Sequence, residues 1–220
     1  MASADRIRTI AVAPRVAVTA RETAAGAARW LFVYAPGAGS NIHDPFGAYA
    51  ARVLAEQGIA TVRFQFPYME QGRRAPDRTD LLEATWRAVI DAVRLDDVRL
   101  VAGGRSMGGR IASQVVAQGV AVDALAIFSY QLHPPGRPEQ LRDGHLAAIK
   151  APALFCSGTN DAFAAPDELR AAAAKMRRAR VHLLDAANHG FAVPKSSGRT
   201  RDDVYAAAIG AMIAWLARLK

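Results

Sequence analysis

The chain has very little cysteine. Cys156 is the only one in 220 residues, so no intrachain disulfide can form and a disulfide-stapled secreted fold is excluded. Cys156 sits in the apolar run "APALFCSG", where a buried structural thiol is the expected role. Long hydrophobic stretches are missing too. No apolar run approaches the roughly 20 residues that cross a bilayer, and the opening "MASADRIRTI" is charged where a secretory signal has an apolar core. These absences predict a cytoplasmic protein with no membrane partner. Lysine is also scarce: only Lys150, Lys175, Lys195 and Lys220 occur. The formal charge of +8 therefore comes mostly from arginine. The arginines are spread along the chain, and only 7% of residues are aromatic. A nucleic-acid surface needs clustered cations beside stacking platforms, so no nucleic-acid partner is expected.

What is present fits a globular protein. Hydrophobic residues make up 51% and charged residues 22%, and the length suits one core. There is no repeat and no low-complexity linker, so residues 1–220 read as a single domain. Short β-rich runs alternate with helical ones. "WLFVYA" (30–35), "IATVRFQF" (59–66), "VRLVAGG" (98–104), "ALAIFSY" (124–130), "ALFCSG" (153–158) and "VHLLD" (181–185) read as strands. Helices are predicted over 46–57, stopped by Gly58, and over 80–93, with Leu82, Trp86, Val89 and Val93 at helical spacing. Others follow at 107–119, 166–178 and, as an amphipathic closing helix, 202–219. Residues 6–20 add one or two edge strands, interrupted by Pro14. The alternation predicts an α/β fold with a mostly parallel sheet and helices on both faces.

One stretch carries chemistry. "GGRSMGGR" (103–110) lies between a strand and a helix, which argues against a linker, and it lacks the lysine of a phosphate loop. It contains Gly104, Arg105, Ser106, Met107 and Gly108, the G-x-S-x-G of a nucleophile elbow. The small residues let strand and helix nearly touch while the serine hydroxyl is thrust out at the carboxyl end of the sheet. Serine needs a base. In the order that this elbow requires, Asp161 follows "LFCSGTN" and His189 follows "VHLLDAAN", each just past a strand. Asp185 rivals Asp161 but stands only four residues from His189. His43, His133 and His145 come too early, and His182 lies within a strand. Met107, just after the nucleophile, and Ala38, in "APGAGSN" after the first long strand, are the candidate oxyanion amides. Arg73, Arg74 and Arg78 form a candidate anion-attracting group for substrate, against the simpler reading of a solvated loop.

The segments "PGAGS", "FPYME", "GGRSMGGR", "HPPGRPEQLRD", "SGTNDAF" and "NHGF" together resemble the α/β-hydrolase superfamily over almost the whole chain. They are most similar to small bacterial hydrolases related to dienelactone hydrolase. The eukaryotic relatives of that group include testis-expressed protein 30 and subunit 3 of a histone-acetylation complex. The resemblance implies a Ser-Asp-His site on Ser106, Asp161 and His189, no metal and no organic cofactor, and it names no substrate. The serine nucleophile with its base is itself the reason to expect a small ester, thioester or related acyl substrate. Dienelactone hydrolase itself carries cysteine at the elbow where this chain has Ser106, so its specific activity does not carry over. Two other readings compete with this one. Gly37-Ala38-Gly39 half-matches a dinucleotide fingerprint, but Ile42 replaces the third glycine and no acid ends the next strand. A non-catalytic binding module on the same fold is the alternative function, because fold does not imply function. Finally, residues 131–150 hold three prolines and room for one or two helical turns, so no lid domain is expected.

Overall fold

A computed structural model describes residues 5–219. The chain starts with an antiparallel hairpin, β1 (Arg6–Ala13) and β2 (Val16–Thr23). Pro14 does not break this region. It opens the two-residue turn, and Arg15 completes it at φ 63°. Three strands and three helices follow: β3 (Trp30–Ala35), α1 (Pro45–Glu56), β4 (Ile59–Phe64), α2 (Pro67–Glu70), α3 (Thr79–Val93) and β5 (Arg99–Arg105). The second half runs α4 (Met107–Ala117), β6 (Ala124–Phe128), β7 (Ala153–Asn160), α5 (Pro166–Ala174), β8 (Ala179–Asn188) and α6 (Arg201–Leu216).

All eight strands form one sheet in the order β1-β2-β4-β3-β5-β6-β7-β8. The β1/β2 and β2/β4 pairs are antiparallel and the rest parallel. Both faces are covered, which is why β3 and β6 are buried along their whole length. Side chains of β3 alternate between two cores. Leu31 and Val33 pack with Trp86 of α3, Ile111 of α4 and Leu169 of α5. Phe32 and Tyr34 pack with Phe46 of α1 and Met212 of α6. The helix after β3 thus lies on one face and the helix after β5 on the other. The strand order therefore switches direction between β3 and β5, and the carboxyl ends of strands at such a point are where open α/β sheets place ligands.

Several boundaries differ from the sequence reading. The strand expected to reach Phe66 ends at Phe64, because Pro67 starts the short helix α2. α5 stops at Ala174. β8 runs to Asn188, well past Asp185, because the β7/β8 pairing shifts register between Gly158 and Asn160 and continues. Helix α6 buries Val204, Ala208, Met212 and Trp215 at helical spacing, but its outer face shows Ala206, Gly210 and Ala214 rather than charge. The helix thus has a buried face as the sequence predicts but lacks the charged outer face of an amphipathic helix. Residues 131–150 contain a single 3-10 turn, Leu146–Ala148, and no lid domain. No helix among the described residues is long and apolar enough to cross a membrane.

Candidate active site

Ser106 stands between β5 and α4 with φ 51° and ψ −119°. Such a conformation costs about 1–3 kcal/mol in a residue with a side chain and persists only where its surroundings enforce it. Here the Ser106 amide donates to Phe128 O at 2.9 Å, and its carbonyl accepts from Arg110 N at 3.0 Å. The flanking glycines are steric necessities. A Cβ on Gly104, itself at φ 147°, would lie 2.0 Å from Ala35 O, and one on Gly108 would lie 2.2 Å from the same oxygen. Trp86 of α3 closes the back of the turn by donating Nε1–H to Gly108 O at 3.2 Å.

Asp161 follows β7 directly and its side chain is fully buried. Its carboxylate accepts from the Ser157 hydroxyl at 2.9 Å and the Phe163 amide at 2.9 Å. His189 follows β8 directly. Asn188 fixes the bend there, since its side-chain oxygen accepts from Gly190 N at 2.9 Å and Ala192 N at 3.0 Å. Imidazole Nδ1 lies 2.8 and 2.9 Å from the two Asp161 oxygens, and Nε2 lies 2.9 Å from Ser106 Oγ. A carboxylate can only accept, so Nδ1 carries the proton and Nε2 offers its lone pair to the serine. The Phe163 ring lies over the imidazole with centroids 4.0 Å apart.

The structure thus brings together the three residues selected from sequence order. Asp185 is exposed, and it is Asp161 that meets His189. His43 is exposed and His182 lies within β8. His133 is buried against Pro134 O and Glu168, and His145 pairs with Ser113. The Cys156 thiol is buried, which pushes its pKa up and leaves it an inert hydrophobe.

Ala38 and Met107 flank the serine. Met107 begins α4, where an amide has no intrahelical acceptor. Ala38 lies in a turn closed by Ser40 N donating to Gly37 O at 3.1 Å, with Gly39 at φ 73°. This turn abuts the nucleophile: a Cβ on Gly37 would lie 3.4 Å from Ser106 Cβ. Of the half-matched dinucleotide glycines, Gly37 is thus packed against Ser106, while Gly39 supplies the positive φ of the turn. Among the described residues neither the Ala38 nor the Met107 amide has an acceptor.

Three contributors were not singled out from the sequence. Tyr68 of α2 accepts from Gly39 N at 2.9 Å through its hydroxyl, which fixes the turn holding Ala38. Phe163 touches both Asp161 and His189. Asp44 caps α1 at the far end of the same loop. Of the three candidate arginines, Arg73 is bound to Asp77 and Gln71, and Asp77 in turn accepts from Tyr68 N at 2.9 Å. Arg74 is exposed, and Arg78, 91% exposed, lies 3.7 Å from Asp80. None of the three contacts Ser106, Asp161 or His189. A large cavity of about 770 Å³ lies elsewhere, along α1, between Arg21, His43, Arg52 and Arg63. Among the described residues no cluster of three or more His, Cys, Asp or Glu side chains could hold a metal.

A family model described as an alpha/beta hydrolase domain matches residues 28–217. Solved structures share the fold over nearly their full length. Dienelactone hydrolase from Anabaena variabilis has a TM-score of 0.79 at 19% identity, with 100% of this chain and 99% of that one covered. Est1E from Butyrivibrio proteoclasticus has a TM-score of 0.76 at 15% identity, with coverage of 96% and 99%. XC6422 from Xanthomonas campestris, described as an a/b serine hydrolase without lid, has a TM-score of 0.72 at 18% identity, with coverage of 98% and 96%. Identities this low carry a likeness of fold alone.

Proposed function

Because the chain belongs to the alpha/beta hydrolase family, we propose that it is a serine hydrolase cleaving a small ester, thioester or related acyl substrate through an acyl-enzyme on Ser106. The observation that carries this reading is the relay Asp161–His189–Ser106, with the serine held in a strained strand-to-helix turn. In the proposed cycle Ser106 Oγ attacks the substrate carbonyl carbon and its proton passes to His189 Nε2. Asp161 stabilises the imidazolium. The carbonyl oxygen becomes an oxyanion facing the Met107 and Ala38 amides, where preorganised donors matter most. The intermediate collapses, the bond to the leaving group breaks, and His189 returns the proton to the departing oxygen or sulfur. Water then attacks the acyl-enzyme with His189 as base again, releasing the acid and restoring Ser106.

The lack of a lid domain in residues 131–150 also bears on substrate size. Without a lid to enclose a long chain, acyl groups beyond the first few carbons gain little burial, at about 0.8 kcal/mol per buried CH₂. Short or compact acyl groups should be preferred, without activation by lipid interfaces. The defining experiment is mass spectrometry after treatment with a fluorophosphonate. An adduct on Ser106, absent in Ser106→Ala, is expected. An unlabelled Ser106 would favour the non-catalytic binding module.

A further inference from the structure

Ser106 and Ala38 leave different strands, and the proposed chemistry needs them at a fixed spacing. Arg105, the residue immediately before Ser106, reaches across. Its Nη1 lies 3.6 Å from Oδ1 of Asp44, at the end of the loop that carries Ala38. Asp44 is only 4% exposed. A carboxylate so buried is costly unless both paired and hydrogen-bonded. Its hydrogen bonds come from the Tyr34 hydroxyl, from Gly47 N at 2.9 Å and, at 3.5 Å, from the Ser40 hydroxyl. None of these brings charge. Burial first and Asp44 second hold the Tyr34 hydroxyl pKa well above its usual value, so it is a neutral donor. Arg105 supplies the positive charge at ion-pair distance, and Arg63 acts on Asp44 from further off. Its side chain is 21% exposed and its buried Nε has no acceptor, so the guanidinium is committed to the ion pair more than to a hydrogen-bond network.

The loop from Gly37 to Asp44 is held at Ile42, whose amide donates to Gln65 Oε1 at 3.3 Å and whose carbonyl accepts from Arg63 Nη1 at 3.1 Å, and at two further points. Tyr68 fixes Gly39 from one side, and Arg105 draws Asp44 towards the elbow. We propose that the Asp44–Arg105 pair is a positioning device that sets the spacing between the oxyanion loop and the nucleophile. The inference rests on reading Ser106 as the nucleophile. A displacement of about 1 Å at a reacting centre can cost 10²-fold, and a long ion pair anchored one residue from the serine acts at that scale.

The test is a double-mutant cycle with Asp44→Asn and Arg105→Gln, followed by p-nitrophenyl acetate hydrolysis and by the rate of fluorophosphonate labelling of Ser106. Asparagine caps a helix as well as aspartate does, so Asp44→Asn removes the charge and keeps the cap. Each single variant should lower kcat about 10- to 100-fold with KM within about threefold, and slow labelling by a similar factor. The double variant should be no slower than the worse single one. Arg105→Lys, which keeps the charge, should recover part of kcat. Arg105→Gln, at a partly exposed site, keeps the test decisive if Asp44→Asn fails to fold. Unchanged kcat and labelling with a lowered Tm, or strictly additive losses, would overturn the proposal. A wild-type enzyme that neither hydrolyses ester nor labels at Ser106 would instead sink the reading beneath it.

Discussion

Among the described residues two serine–histidine pairs are within hydrogen-bond reach, and the shorter is not the one assigned to chemistry. Ser113 Oγ and His145 Nε2 are 2.7 Å apart, against 2.9 Å for Ser106 and His189. Ser113 lies inside α4 and is fully buried. Its hydroxyl proton goes to Arg110 O at 2.6 Å, so its oxygen can only accept from His145. The proton runs the wrong way for a nucleophile. Burial, reinforced by Arg110, lowers the His145 pKa. The pair instead fastens the segment between β6 and β7 onto α4. Ser106 has the opposite attributes: a strained turn, a histidine lone pair in front of it, and a carboxylate behind that histidine. Hydrogen-bond length does not distinguish the two pairs, whereas proton direction and the third partner do.

The strongest way to break this contrast is to remove each serine. Ser106→Ala should lower kcat by about 10⁵–10⁶, whereas Ser113→Ala should leave kcat within about twofold, both read by steady-state hydrolysis of p-nitrophenyl acetate. If Ser113→Ala alone abolished turnover, the assignment would have to be exchanged. The next largest effect concerns the third partner. Asp161→Asn should cost about 10⁴ in kcat with the fold intact, while Asp185→Asn should change little. Full activity in Asp161→Asn would return Asp185 to candidacy.

Stability should show the reverse ranking. Ser113→Ala leaves the His145 donor without its acceptor, at a cost of about 1–3 kcal/mol. In a chain of this size that lowers Tm by roughly 2–4 °C per kcal/mol, measurable by calorimetry. A Tm unchanged in Ser113→Ala would mean that the pair does not anchor the segment.

The smallest effect is in pH. Because the His145 pKa is lowered on folding, the unfolded chain takes up the proton first. Its contribution to stability is present above the ordinary value of 6.5 and is lost as pH falls through the lower folded value. Histidine 133 has the opposite sign. Burial opposes its protonation, but the Pro134 carbonyl and Glu168 outweigh burial and raise its pKa. Its contribution is full below 6.5 and is lost as pH rises through the raised folded value. His145→Gln should therefore flatten the fall in Tm on the acid side, and His133→Gln should flatten it on the alkaline side. Identical pH profiles in both variants would remove the argument.

Much of the site was legible as order along the chain. The glycines of "GGRSMGGR" signal a tight strand-to-helix turn because a side chain there would strike the neighbouring strand. Asp161 and His189 could be picked because each follows an apolar run, and parallel strands bring their carboxyl ends to one edge. The strand and helix alternation itself needs nothing beyond local burial periods, which local residues set. The reach of β8 to Asn188, the Tyr68 hydroxyl on Gly39, the Phe163 ring over His189, the Asp44–Arg105 pair and the Ser113–His145 bond were not legible. Each depends on which strand ends lie side by side and in what register. That is fixed by the packing of the whole sheet, because a hydrogen bond between residues distant in sequence leaves no periodic trace in either segment.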